Sequence, residues 1–352
     1  MVSRRSVAIR LIMPKAAIDI KKELALLNPT HKQLKEETIF ILQSILQHSN
    51  IKYHSMSGRI KTPESVLEKL KRKQAADLHQ LTDLVGVRVV CLFLSDIAKI
   101  GELVRKNFEV VEEDNKIEGE ELGSFGYMSL HFIVRIKKSY TGPRYDSIRS
   151  TVFEIQIRTI AMDAWAATSH YLDYKSAQDV PKQLRKDFFA LSGLFYVADQ
   201  HFEMFFKARQ NSVKTIKKEL SESPTGSNIE INFDSLAEYL RRRFHGREHS
   251  DTGTVSELVQ ELRSAGYKTI REIDDVIKKT IKAAESYEKD SPPYEEHEHE
   301  LVTMPGSKYT DVGIVRAVFD IHDPQFAENR GSTADQNKYR VLARGVKTKK
   351  SV

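Results

Sequence analysis

Phe153-Glu154-Ile155-Gln156-Ile157-Arg158-Thr159 alternates apolar and polar residues with the period of a β-strand. Phe153, Ile155 and Ile157 share one face, and Glu154, Gln156 and Arg158 share the other. Periodicity alone is satisfied by an ordinary amphipathic strand. A carboxylate, an amide and a guanidinium in one row also suit a sheet that presents a chemical face. The strand reading covers 151–158, and a helix is expected over 160–175. A strand feeding directly into a helix points to an α/β (α+β) fold.

Working upstream, 127–136 alternates as cleanly and reads as a second strand, while 81–94 is β-branched and apolar and reads as a buried one. Between them, 96–107 reads as a helix and 109–122 as an acidic, irregular stretch. Thr62 as N-cap with Pro63 in the first turn opens a helix reaching about residue 75. Leu34, Ile39, Ile41, Leu42, Ile45 and Leu46 recur at near-helical spacing, so residues 1–50 form an N-terminal helical segment. Downstream, 184–220 reads as one long helix or a pair.

Ser, Pro, Thr, Gly and Asn in 221–228 mark a linker. Beyond it, 233–244, 255–265 and 270–287 read as helices, with Gly266 at a helix C-terminus. Residues 311–321 suit a strand or a helix, and 323–352 read as a disordered tail. The expected organisation is therefore a helical segment (1–50), a mixed β-sheet flanked by helices (51–220), a mainly helical C-terminal region (228–322) and the tail.

The 352 residues are 40% apolar and 30% charged, with a formal net charge of +6. That composition suits a globular protein with an ordinary core, and the modest basic excess suits phosphates, nucleotides or RNA. No apolar run approaches the roughly 18 residues of a membrane span, and no signal peptide is read at the N-terminus. The single cysteine, Cys91, excludes an internal disulfide and a multi-cysteine zinc site. A cytoplasmic location is the expectation.

Four groups of residues carry candidate chemistry. Arg59, Lys61, Ser65, Lys69 and Arg72 form a cationic stripe with a hydroxyl at a helix N-terminus, which suits a polyphosphate. A solvated charged face gives the same spacing. Asp83 stands at the entry of the apolar strand and Arg88 lies inside it, where a guanidinium needs a partner or a ligand. Tyr127, Ser129 and His131 share a strand face after Gly126, and Tyr127 is placed to stack on a base. Glu154 near Asp83 would make a two-carboxylate Mg²⁺ site, the kind phosphoryl and pyrophosphoryl transfer use.

The joint order of these groups is specific. Arg-x-Lys-x3-Ser-x3-Lys, then Asp-Leu-Val-Gly-Val-Arg, Gly-Tyr-Met-Ser-Leu-His and Glu-Ile-Gln-Ile-Arg-Thr, continuing through Ala161-Met162-Asp163-Ala164-Trp165 to Tyr174-Lys175, resembles the RelA/SpoT (p)ppGpp synthetase family over about 150 residues. The resemblance implies a nucleotidyltransferase-like synthetase domain that moves the β,γ-pyrophosphate of ATP to the 3′-hydroxyl of GDP or GTP. It implies ATP contacts from Arg59, Lys61, Ser65, Lys69, Arg72 and Arg88. Asp83 would bind Mg²⁺ with Glu154 as second acidic residue, and Glu154 would also help activate the acceptor. Tyr127 would stack on the acceptor base, and His131, Gln156 and Arg158 would line the cleft. Trp165 would pack the following helix. Small members of the family also form homo-oligomers.

Two departures narrow the reading. Leu122-Gly123-Ser124-Phe125 replaces a Pro-Lys-x-Asn-like stretch, so the lysine that meets acceptor phosphates is missing there. The Phe-Gly-Tyr form resembles toxic small alarmone synthetases, several of which modify the 3′ end of tRNA, so tRNA stands as the alternative acceptor and a degenerate nucleotide sensor as a non-enzymatic reading. Basic residues Lys137, Lys138, Arg144, Lys182, Arg185 and Lys186 either grip an RNA backbone or are solvated surface. The roughly 50 residues before the synthetase region are too few for the family's hydrolase domain. Residues 228–320 are open to a regulatory, antitoxin-like or oligomerising role.

Overall fold

The computed structural model describes residues 5–73, 78–115, 129–172, 180–222, 228–297, 300–303, 307–332 and 337–343. The chain divides into two compact units, Met1–Phe206 and Lys207–Val352. The division falls inside a helix, whereas the sequence places the linker at 221–228, of which 223–227 lie outside the described residues.

The first unit runs α1 (Arg5–His48), β1 (Tyr53–Ile60), α2 (Pro63–Lys73), β2 (Val85–Cys91), α3 (Leu94–Asn107), β3 (Phe108–Asn115), β4 (Leu130–Ile136), β5 (Phe153–Thr159), α4 (Ile160–Tyr171) and the start of α5 (Arg185–Glu222). Its strands form one mixed sheet in the order β1-β2-β5-β4-β3, parallel between β2 and β5 and antiparallel elsewhere. Strand alternation divides this sheet into two unlike faces. Val85, Val87, Val89 and Cys91 of β2, Phe153, Ile155 and Ile157 of β5, and Leu130, Phe132, Val134 and Ile136 of β4 are buried in one core with Leu34, Ile41, Leu42 and Leu46 of α1 and Ile97, Ile100 and Val104 of α3. α1 approaches so closely that a Cβ on Gly58 would stand 2.6 Å from Lys35 Cγ. The opposite face carries the polar residues.

Three strands differ from expectation. Residues 52–58, which read from the sequence as a short connector, belong instead largely to β1, an edge strand paired with β2. The stretch expected as irregular contains β3, an edge strand paired only with β4. Of its residues only Phe108 is buried, so no alternation betrays it, and its acidic side chains keep an open edge from pairing further. β2 is shorter than expected, because Leu81 and Leu84 pack instead with Val66 and Leu70 of α2 in a small separate cluster. At the end of β5 the Thr159 hydroxyl accepts from Met162 N at 3.1 Å and caps α4. It also donates to Asp199 of α5. Trp165 of α4 is buried against Phe188 of α5, ring centroids 4.4 Å apart, as expected.

The second unit is mainly helical. The last part of α5 is followed by α6 (Phe233–Arg243), α7 (Thr252–Ser264), α8 (Ile270–Asp290), a two-stranded ribbon of β6 (Tyr294–His297) and β7 (Glu300–Thr303), α9 (Asp311–His322), α10 (Pro324–Asn329) and α11 (Asn337–Ala343). Asn232, Asp251 and Thr269 cap α6, α7 and α8, and Gly266 takes φ +91° just past the end of α7. Residues 311–321, open between strand and helix, belong to α9. The disordered tail expected over 323–352 is corrected where α10 and α11 form; 333–336 and 344–352 lie outside the described residues. Asp323 accepts from Gln325 N and Phe326 N, and Phe326 and Tyr339 bury their rings in the core shared by α6 to α9. Two well-placed aromatics anchor a segment whose composition is otherwise polar. Among the described residues no helix is long and apolar enough to cross a membrane.

Candidate functional site

The polar face of the sheet is organised in cross-strand rows. One row is Ser57, Arg88, Gln156, His131 and Asp114; the next is Arg59, Gly86, Glu154 and Ile133. Gly86 lacks a side chain where a Cβ would stand 3.8 Å from Glu154 Oε2 and 4.0 Å from Arg59 Cγ. The row therefore keeps open space beside Glu154.

Asp83 lies just ahead of β2, and Lys61 just after β1, where its N–H donates to Leu84 O at 2.8 Å. Lys61 Nζ and Lys69 Nζ both reach Asp83 Oδ2, at 2.6 and 2.5 Å, and all three side chains are largely buried. Lys69 comes from α2, whose start is set by Thr62 accepting from Ser65 N at 3.3 Å. Burial pushes the Asp83 carboxyl up, but the two lysine contacts outweigh it and hold it below its ordinary range. Burial also lowers the Lys61 pKa, with Asp83 opposing. Asp83 Oδ1 is buried with no hydrogen-bond partner.

Glu154 is held from two sides. Its Oε1 accepts from His131 Nδ1 at 2.9 Å, and its Oε2 accepts from Gln156 Nε2 at 2.8 Å. The other ring nitrogen, Nε2, lies 2.6 Å from the Ser129 hydroxyl, which holds the imidazole from its far side. Burial raises the Glu154 pKa, the His131 and Gln156 contacts lower it by more, and the Asp83 charge works against them, leaving it below the ordinary value. Asp83 and Glu154 are thus within electrostatic reach of each other.

Two arginines complete the face. Arg88 Nη1 lies 2.9 Å from Asp163 Oδ1 in the first turn of α4, and Arg158 Nη1 lies 3.6 Å from the same oxygen. The Arg158 pKa is lowered to about 10, first by burial and then by the Arg88 charge. The two guanidinium groups are held close against their own repulsion, an arrangement that favours an anionic ligand.

The structure therefore gathers Lys61, Lys69, Asp83, Arg88, His131, Glu154, Gln156 and Arg158 on one face. Arg59 is exposed and bears on this group through its charge. Ser65 is engaged with Thr62, and Arg72 is exposed on α2. Tyr127 and the stretch 122–125 lie outside the described residues. Sequence reasoning missed Ser129 as a partner of His131, and Asp163 as the link between the arginines. An aspartate in the first turn of a helix reads as a helix-terminus preference, which hides such a link.

Among the described residues no three or more His, Cys, Asp or Glu side chains gather as a metal cage. Mg²⁺ needs only one or two carboxylates, with water and substrate phosphates completing its shell. The unpartnered Asp83 Oδ1 and the ionised Glu154 fit that requirement.

A polar sheet face that pairs carboxylates with clustered lysines and arginines is chemically suited to a polyphosphate. A family described as the region found in RelA / SpoT proteins matches residues 58–179. The GTP pyrophosphokinases YjbM and YwaC of Bacillus subtilis are each 34% identical to this chain, over 142 and 146 residues. These matches cover 39% and 40% of this chain and 64% and 67% of the two relatives. The crystal structure of the small alarmone synthetase 1 from Bacillus subtilis is 28% identical, with a TM-score of 0.45, over 54% of this chain and 99% of that one. The chain belongs to the RelA/SpoT family.

Proposed function

We propose that this chain is an ATP-dependent pyrophosphokinase that transfers the β,γ-pyrophosphate of ATP to the 3′-hydroxyl of GDP or GTP, yielding (p)ppGpp-type alarmones, with Mg²⁺ as cofactor and the cytoplasm as its place of action. The observation that carries the reading is the doubly held Glu154 on the same sheet face as the lysine-clamped Asp83 and the Arg88–Arg158 pair. Two curated relatives named as GTP pyrophosphokinases support it.

In this reading Arg59, Lys61, Ser65, Lys69, Arg72 and Arg88 meet the triphosphate of ATP and neutralise charge on it, and Arg158 lines the acceptor side of the cleft. Asp83 and Glu154 would hold Mg²⁺, which when bound would supply charge screening and polarisation of the phosphates. The acceptor 3′-oxygen forms a bond to the β-phosphorus, the bond from that phosphorus to the α,β-bridging oxygen breaks, and AMP leaves. The hydroxyl proton passes to Glu154, whose ionised state and fixed position suit a base. His131 and Gln156 keep its two oxygens aimed, and Tyr127 stacks on the acceptor base.

The test is transfer from γ-labelled ATP with Mg²⁺ to GDP, GTP or deacylated tRNA. Label on GDP or GTP is expected, and Asp83→Asn or Glu154→Gln abolishes it without unfolding the protein. Label on tRNA alone reassigns the acceptor, and no transfer to any of the three overturns the reading.

A further inference from the structure

In the second unit a cavity of about 340 Å³ opens between the C-terminal ends of α5 and α6, lined by Leu220, Ser221, Tyr239, Arg242 and Arg243. Pockets that take small organic molecules run from roughly 300 to 1,000 Å³. Leu220 and Tyr239 are almost fully buried and give the cavity an apolar floor, with the Tyr239 hydroxyl turned to Asp274 at 2.8 Å. Arg242 ties the two helices together. Its Nη2 donates to Lys217 O at 3.0 Å and its Nε to Glu238 Oε1 at 2.8 Å. A guanidinium has five N–H groups, so donors remain for a ligand. Arg243 is less engaged. Its Nε stands 3.9 Å from Asp274 Oδ1, beyond hydrogen-bond distance, and Asp274 is already met by Lys278 at 2.6 Å.

Charge around the cavity is unbalanced. Glu238 alone faces Arg241, Arg242 and Lys217, at 2.9, 2.8 and 4.0 Å. With Arg243 and Lys278, five cations share two carboxylates, Glu238 and Asp274. A helix dipole favours cations in the last turn, which explains positive charge at the end of α6. It does not explain an apolar cavity beside a partly exposed guanidinium that its carboxylate does not reach. An anion in the cavity takes up the Arg243 donors and offsets the repulsion among the cations. The surplus exceeds one charge and so suits a dianion: a phosphate monoester carries about two negative charges near neutral pH, a carboxylate only one.

We propose that this cavity binds a small organic molecule bearing a phosphate group, its apolar part against Leu220 and Tyr239 and its phosphate on Arg242 and Arg243. The site belongs to the second unit, outside residues 58–179, and does not depend on the pyrophosphokinase reading. A nucleic-acid strand also combines flat rings with phosphates. The volume suits one ring and its phosphate rather than a run of nucleotides, so the small molecule is favoured and the strand is an outcome of the test.

The experiment titrates the full chain with phenyl phosphate by calorimetry, for the wild type, Arg243→Ala and Arg263→Ala; Arg263 lies on α7, outside the cavity. Phenyl phosphate affinity falls about tenfold in Arg243→Ala, as expected for one lost charge-assisted contact, and is unchanged in Arg263→Ala. Benzoate and inorganic phosphate bind the wild type more weakly than phenyl phosphate does. Phenyl phosphate bound at the polar sheet face would be common to all three proteins and would not follow Arg243. Thermal midpoints without ligand show whether Arg243→Ala disturbs packing; if it does, Arg243→Gln, which keeps the side-chain stem and drops the charge, replaces it. No saturable binding to the wild type, equal affinity with and without Arg243, an equal loss in Arg263→Ala, or benzoate or inorganic phosphate bound as tightly as phenyl phosphate overturns the proposal. A single-stranded RNA oligonucleotide that binds through Arg243 while phenyl phosphate does not overturns it in favour of a nucleic-acid surface.

Discussion

His131 Nδ1 donates to Glu154 Oε1 at 2.9 Å across the β4–β5 pair, so the most buried carboxylate of the polar face takes its orientation from the neighbouring strand. Ser129 in turn fixes the imidazole through Nε2. A base that must meet one hydroxyl in one geometry benefits from such a support.

His131→Ala is expected to lower kcat for pyrophosphate transfer by about 100-fold, the lower range for losing an aligned proton-transfer contact, with the KM for ATP little changed. Steady-state kinetics with GDP check this. A kcat within twofold of wild type removes His131 from the support of Glu154.

Asp163→Asn removes the charge that holds Arg88 and Arg158 together. The variant is expected to raise the KM for ATP about tenfold, equivalent to about 1.4 kcal/mol, and to leave the circular dichroism spectrum unchanged. Asp163→Glu restores part of the loss if the role is to align the arginines; equal defects in both variants indicate damage to α4 instead.

The Asp83 and Glu154 carboxyls both sit below their ordinary values of 3.8 and 4.5. Below those values the unfolded chain binds more protons than the folded one. The stability they contribute is therefore complete above the ordinary values and is lost as pH falls through the depressed folded ones. Urea midpoints measured on acidification should fall less steeply for Glu154→Gln than for the wild type. Parallel curves would show that Glu154 contributes nothing to acid sensitivity.

Cys91 is buried in the sheet core, its thiol donating to Arg158 O at 3.2 Å, and burial pushes its pKa up to about 12. No thiolate forms near neutrality. A chromogenic thiol reagent should label it only after denaturant unfolds the first unit, and rapid labelling of the native chain contradicts this burial.

In the second unit, Arg247 and Glu288 form a buried pair, Nη1 to Oε1 at 2.6 Å and Nη2 to Oε2 at 3.0 Å, and Glu288 also accepts from Tyr309 N. Glu288→Ala leaves Arg247 buried without its partner and is expected to cost about 3–5 kcal/mol. Chemical denaturation of the full chain followed at the second unit measures it; a loss under about 1 kcal/mol would mean the pair is solvated.

The order of motifs, the period of β4 and β5, the cap at Thr62 and helices α6 to α8 of the second unit were legible in the sequence, because each depends on residues close together in the chain. So was the polar side of β5, since strand alternation alone assigns Glu154, Gln156 and Arg158 to one side. Tertiary structure decided the rest. Edge strand β3 shows no period because its solvent-facing residues bury nothing, and α10 and α11 exist because Phe326 and Tyr339 find a core built by other helices. The bond from His131 to Glu154, the double clamp on Asp83 and the Asp163 bridge between Arg88 and Arg158 join residues on different elements. Local sequence sets which side of a strand a group faces; only the packed sheet sets which charge stands opposite it, and at what distance.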